Sequence, residues 1–234
     1  MKSKKAEVNI KGELFEEQIR TTVQRAGIHV IHLEKKDYEC DAVFSLNNDL
    51  FFVEAKHLND PTSYREYMRN LEEIHDAVNQ LNRIADYYEH EEKLEEIKIR
   101  LGIKSINCIY RIVVTNTSQG EKLKIEGVYA IDDIGFLGYL LRKPPRKHLM
   151  HKDSFHSTPI LDEYYVGVPS SKQFIDFLEN NPFIDHYKQR IEYVTYDYSE
   201  QLGLKFVDFG VKVNTIVSVD KLTPSELEEL NQLF

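Results

Sequence analysis

Cysteine is scarce in this sequence: Cys40 and Cys108 are the only two among 234 residues. A chain with two cysteines and no secretory leader is not built on a disulfide framework. Without a Cys-x-x-Cys pair it also lacks the usual ligand spacing for structural zinc. Both cysteines lie in apolar or strand-like runs, which predicts two reduced thiols in the core. Long apolar segments are missing as well. The start, Met1-Lys2-Ser3-Lys4-Lys5, is basic, but Lys11, Glu13, Glu16 and Glu17 follow too soon for a signal segment. No stretch approaches the roughly 20 apolar residues that a membrane helix needs. By elimination, the expectation is a cytoplasmic protein with no membrane partner. Positive charge is in deficit, with 30 Lys and Arg against 39 Asp and Glu, a net charge of -9. Such a balance counts against a protein that coats nucleic acid by bulk attraction. A metal-binding carboxylate cluster is itself acidic, however, and local basic patches can still hold phosphates. Internal repeats and low-complexity tracts are absent too.

What is present suffices for a folded domain. Hydrophobic residues make up 41% and charged residues 29%, enough apolar surface to offset the entropy of ordering the chain. The segment from Gly12 to Ala26 has helical spacing, with Leu14, Ile19, Val23 and Ala26 near one face, Phe15 at its border and Gly27 as a stop. A short β-type run follows at Ile28–Leu33. Tyr38–Leu46 and Leu50–His57 read as a hairpin about Asn47-Asn48-Asp49, residues that tolerate left-handed backbone. Phe51-Phe52-Val53 is continuously apolar, so its strand is expected to be central and covered on both faces.

A long helix is expected from Tyr64 into the 90s, with an apolar stripe of Tyr64, Tyr67, Met68, Leu71, Ile74, Val78, Leu81, Ala85 and Tyr88. Strands at Ile106–Thr115 and Lys124–Ile131 come next, then a short helix at Asp132–Leu141. Arg142–Lys147 reads as a linker. Beyond it lie a helix pair at Ser171–Glu179 and Pro182–Glu192, with Asn181 as cap. A β-rich stretch at Leu204–Val219 and a capping box at Thr223–Glu226 complete the chain. The order is mixed α/β: a helix, a β-meander, then a crossover helix returning to a buried strand. A soft domain boundary falls at 143, giving a core over 1–143 and an α+β accessory region over 144–234.

The chemistry centres on the hairpin. Strand residues two apart share a face, so Glu54 and Lys56 project together, beside Phe52 and opposite Val53 and Ala55. Charges in an apolar strand are costly unless they pair or bind something. Asp41 is a lone acid between Cys40 and Ala42-Val43-Phe44, and twelve residues separate it from Glu54. The short turn would bring the two carboxylates together, and a divalent cation would relieve their repulsion. Hard oxygen ligands suit Mg²⁺ or Mn²⁺, with the Ala55 carbonyl as a further ligand. Lys56 would then orient a metal-activated water or neutralise a pentavalent transition state.

This pattern resembles the PD-(D/E)xK, restriction endonuclease-like superfamily of nucleases. The core motif reads Asp41, twelve residues, then Glu54-Ala55-Lys56. Gly12-Glu13-Leu14-Phe15-Glu16 is similar to the family's first-helix motif, whose acid would be Glu16. Gln80 matches a Gln often found in the following helix. Ile112–Asn116 looks like the next core strand, as in Mrr-like restriction enzymes. The resemblance covers about Gly12 to Leu141, and Cys40 stands where the family name has Pro. It implies a mixed central sheet flanked by helices and a divalent-metal-dependent endodeoxyribonuclease of restriction, defence or repair type. Asp41, Glu54, Ala55 and Glu16 would hold metal, with Lys56 and Gln80 completing the catalytic set. DNA is the implied substrate, with RNA left open. One site per chain suggests a homodimer for duplex cleavage.

Plainer readings stand beside these. Asp41 and Lys56 could form a structural ion pair across the hairpin. Glu16 could be a solvated helix residue, and Glu13 and Glu17 compete for its role. Gln80 could be a satisfied, half-buried side chain. Arg142, Lys143, Arg146, Lys147 and Lys152 could hold phosphates or serve as a soluble linker. His57, His148, His151 and His156 have no ligand spacing and read as structural or surface residues. A second function class is a catalytically inactive nuclease-fold binding or assembly module.

Overall fold

The computed structural model describes residues 2–118, 121–151, 154–188, 191–197 and 207–213. Two compact units divide the chain, Met1–Asn181 and Pro182–Phe234. No helix among the described residues is long and apolar enough to cross a membrane.

The first unit opens with helix α1 (Lys2–Arg25). Among its residues from Ile10 onward, Phe15, Ile19 and Val23 are the buried apolar ones, spaced one helical turn apart. Leu14, expected on that face, is 60% exposed: the helix is rotated so that its neighbour Phe15 fills the core instead. Gly27 ends the helix at φ +77°. The N–H of Ile28 reaches Val23 O and that of Gly27 reaches Gln24 O, the paired bonds of a Schellman stop, which favours glycine.

Strands β1 (Val30–Lys35), β2 (Tyr38–Leu46) and β3 (Asp49–Lys56) form an antiparallel meander. The β2–β3 turn uses two residues, Asn47 and Asn48, at φ +49° and +66°, the two-positive-φ geometry that matches strand twist. Helix α2 (Tyr64–Tyr88) is capped by Ser63, whose side chain accepts from Glu66 N. Helix α3 (Glu91–Leu101) follows after a break at Glu89-His90, so the expected single helix is two. The buried stripe of α2 runs through Ile74, Ala77, Val78, Leu81, Ile84, Ala85 and Tyr88. Tyr64 and Met68 project outward instead.

The chain returns through β4 (Ile109–Thr115), parallel to β3, and then β5 (Leu123–Ile125) and β6 (Val128–Asp132). The expected strand at 124–131 is thus a hairpin, folded at Glu126 and Gly127, both at positive φ. Sheet order is β1-β2-β3-β4-β6-β5, with β6 parallel to β4. The fold is therefore α/β, a six-stranded mixed sheet flanked by helices. Helices α4 (Asp133–Leu140) and α5 (Ser171–Glu179) join α1 on one face. On the other face, α2 and α3 cover Val43, Leu50, Phe52 and Val113. As expected, β3 is central: Phe51, Phe52 and Val53 are fully buried.

Arg146, expected in a linker, begins a separate hairpin of β7 (Arg146–His151) and β8 (Ser154–Pro159). Because Phe174, Phe177 and Leu178 of α5 enter the α1-side core, the first unit runs past the basic stretch at 142–147. The N-terminus of α5 grips the β2–β3 turn. Ser171 N donates to Asn47 Oδ1 at 2.9 Å, and Ser171 Oγ donates to Asp49 Oδ2. Asn107 N donates to Asn48 O and Cys108 N to Asp49 Oδ1. Cys108 is exposed rather than core, while Cys40 is fully buried; both are free thiols.

The second unit contains α6 (Pro182–Lys188), opening on the expected proline, and an antiparallel pair of β9 (Ile191–Asp197) and β10 (Val207–Val213). The capping box at Thr223–Glu226 lies outside the described residues.

Candidate active site

The sheet carries one irregularity, and the site sits on it. Ile31 pairs with Val43 and Leu33 with Cys40, so Asp41 and Ala42 together face the single residue His32. Such a bulge re-aims the side chain at the extra residue. On its far side, β2 leaves β3 after the Ala42–Val53 pair. Past that pair, the Ala55 N–H that the ladder would have used is taken by a side chain, Asp41 Oδ2, at 2.7 Å, and Cys40 Sγ adds a contact to Val53 O at 3.5 Å. In a strand the N–H and C=O of one residue point to the same side, so the Ala55 carbonyl opens into the gap that Asp41 fills.

Asp41 and Glu54 are each only 6% exposed. Glu54 lies on the α2 side, where Gln80 Nε2 donates to its Oε1 at 2.9 Å. Its other oxygen, Oε2, is buried and has no hydrogen-bond partner among the described residues. Burial, the largest cause, pushes the Asp41 carboxyl up to about 7, and the negative charges of Glu16 and Glu39 add to it. The Ala55 N–H and the Arg20 charge pull the other way. Burial likewise raises Glu54 well above the usual range, reinforced by Asp41 and opposed by Lys56. Ionisation of this pair is therefore penalised twice, by loss of water and by mutual repulsion. Burial also raises the Cys40 thiol, which makes it an inert packing group.

Glu16, half-buried on α1, contributes negative charge at both Asp41 and Glu54; Glu13 and Glu17 are exposed. Burial raises the Glu16 carboxyl, against the opposing charge of Arg20. Lys56 is half-buried at the end of β3, and its charge acts on Glu54. The ion pair weighed for Asp41 and Lys56 is not formed among the described residues. Gln80 is exposed at its body but committed at its amide, since a carboxylate can only accept from it. His57 packs edge-on to Phe15. Just beyond it, Asn116 binds both the N–H and C=O of Leu58, which fixes the chain leaving Lys56.

Three further residues belong to this cluster and were missed. Arg20 Nη1 donates to Asp41 O at 3.0 Å. The His32 ring lies 3.1 Å from Glu39 Oε1 and 3.4 Å from Glu34 Oε1, and Glu39 in turn adds negative charge at Asp41. Arg20 could have been found as the residue one turn beyond Glu16. Glu39 and His32 depend on the bulge, which has no local sequence signal.

Among the described residues, no group of three or more histidine, cysteine, aspartate or glutamate side chains is close enough to hold a metal ion. The donor set is a carboxylate pair with a main-chain oxygen. Mg²⁺ is commonly held by one or two carboxylates with water completing its shell, so this oxygen-only set fits such a cation. The orphaned Glu54 Oε2 is the specific atom in want of a partner. Compared with known proteins, the chain matches no family model, no curated protein and no solved structure.

Proposed function

We propose that this protein is a divalent-metal-dependent nuclease that hydrolyses phosphodiester bonds of DNA, built on a restriction endonuclease-like core of the PD-(D/E)xK type. The observation that carries this reading is the buried pair Asp41 and Glu54, with one carboxylate oxygen unpartnered and Lys56 following Glu54 on the same strand. The helix, antiparallel meander, crossover helix and parallel strand are compatible with that fold.

Asp41, Glu54 and the Ala55 carbonyl would hold Mg²⁺ or Mn²⁺, and Glu16, which makes no third carboxylate ligand here, would add negative charge behind them. The cation would supply an acidified water and charge neutralisation at the phosphoryl oxygen. Gln80 orients Glu54, leaving Oε2 turned to the site. Lys56 orients the attacking water and offsets the charge that grows on the phosphorane oxygens. The Leu58–Asn116 clasp fixes the backbone behind Lys56, so that only its side chain remains to be ordered during reaction. A restriction, defence or repair role and a homodimer with one site per chain belong to the same proposal.

A second reading, a catalytically silent nuclease-fold module that binds a partner, is favoured by the two-carboxylate donor set and the net charge of -9. Cleavage of plasmid DNA, single-stranded DNA and RNA in Mn²⁺ separates the two. The nuclease reading expects turnover that Asp41→Ala and Lys56→Ala both abolish. Wild-type inactivity on all three, with no Mn²⁺ binding by calorimetry, supports the silent module.

A further inference from the structure

The cluster described above has a deficit of positive charge. The negative charges of Glu16 and Glu39 both act on Asp41 and Glu54, and that of Asp41 acts on Glu54, yet a phosphodiester is an anion and must approach them. Lys56 serves the α2 side, next to Glu54. On the α1 side the cation is Arg20.

Its attachment is unusual. Arg20 lies one turn beyond Glu16, and its charge is felt at both Glu16 and Asp41. It forms an ion pair with neither, nor with any carboxylate among the described residues. Its one hydrogen bond there goes to the main-chain carbonyl of Asp41, from Nη1 at 3.0 Å. A guanidinium has five N–H donors in a rigid fork, so four remain. Anchoring by a neutral carbonyl holds the side chain in place while leaving its charge unneutralised. The same planar fork matches two oxygens of a phosphate.

We propose that Arg20 is a catalytic residue that grips the phosphodiester being cut, opposite Lys56 across the carboxylate cluster. This assignment rests on the nuclease reading, and it deepens it by naming the α1 side of the bulge as the place where the substrate backbone is held. Lys56 then faces the attacking water, and Arg20 faces the non-bridging oxygens.

The test compares wild type with Arg20→Gln and Arg20→Lys in the full chain, by cleavage kinetics on a short oligonucleotide and by calorimetry with Mn²⁺ alone. The expected result is a loss of about 100-fold in kcat/KM for Arg20→Gln, on the scale of removing one transition-state donor. Arg20→Lys retains the charge and should lose only about 10-fold. Mn²⁺ affinity should be unchanged or tighter in Arg20→Gln, because a cation beside Asp41 and Glu16 has been removed. Mn²⁺ binding weakened about 10-fold or more would overturn the proposal, since Arg20 would then only be shaping the Asp41 bulge. Wild-type kcat/KM in Arg20→Gln would overturn it too. An inactive wild type that binds the oligonucleotide in Mn²⁺, with binding weakened by Arg20→Gln, defeats the nuclease reading and keeps the phosphate grip. A wild type that neither cuts nor binds defeats both.

Discussion

Asp41 Oδ2 takes the N–H of Ala55 at 2.7 Å, so a side chain replaces the strand where β2 and β3 part. That bond holds Asp41 beside Glu54, in a place where neither carboxylate ionises readily. The local arrangement costs stability and leaves an oxygen without a partner, a pattern that occurs at functional sites.

Neutralising the pair should therefore stabilise the metal-free protein. Asp41→Asn keeps an acceptor for the Ala55 N–H and removes one charge. Urea unfolding at pH 8 with chelator present should show a gain of about 1 kcal/mol, alongside lost cleavage. A stability loss would mean that Asp41 is held by favourable contacts beyond the Ala55 bond.

Proton linkage has a definite sign. Asp41 is raised from its ordinary value of 3.8 to about 7 in the folded state. The folded chain thus binds more protons than the unfolded chain between those values. The stability from this group is full below about pH 4 and is lost as pH rises toward 7. The difference in unfolding free energy between wild type and Asp41→Asn should widen in favour of Asn over that window and level off above it. A difference that stays flat with pH would contradict the raised carboxyl.

Cation binding must displace the same protons. Mn²⁺ affinity should climb as pH rises through about 7, with protons released on binding. Calorimetry in two buffers of different ionisation heat measures that release directly. Zero release at pH 6.5 would place the cation elsewhere.

Gln80 offers a separate test because its body is exposed. Gln80→Ala leaves Glu54 with neither oxygen paired. Metal affinity or activity should fall about 10- to 100-fold, the usual effect of losing a residue that orients a ligand, with little change in unfolding midpoint. An unchanged cleavage rate would make the Gln80–Glu54 bond incidental.

Helix α1 supplies a test of the fold. Ile19→Ala should cost about 2–5 kcal/mol, as for other fully buried aliphatic side chains. Leu14→Ala should stay within about 0.5 kcal/mol, because that side chain faces outward. Equal losses on denaturant unfolding would mean that α1 is rotated from the orientation described.

Much of the site's frame was legible. Phe51-Phe52-Val53 announced a strand covered on both faces, and Asn47-Asn48 announced its turn, because both signals are local. The pairing of Glu54 with Lys56 followed from the strand period alone. Other features were not local. Leu14 and Phe15 are adjacent and both apolar, and only the packing of α1 on the sheet chooses between them. Glu126-Gly127 splits a run whose composition reads as one strand, although the glycine marked the fold point. The bulge was least accessible, because it depends on how β1 pairs with β2. Through that bulge Arg20, His32 and Glu39 join residues that the motif already named.

The grip of Ser171 and Asn107 on the β2–β3 turn acts at a distance. A hairpin strand that slips by one residue exchanges its two faces entirely. On β3 that would turn Glu54 toward α1 and Ala55 toward α2. The Ser171 hydroxyl of α5 and the Asn107 side chain before β4 fasten the turn at one end, and Asp41 fastens the opposite end at Ala55. The hairpin is thereby held to a single alignment, like a ruler pinned at both ends, and the chemistry at Glu54 inherits its accuracy from a serine 117 positions further along the chain.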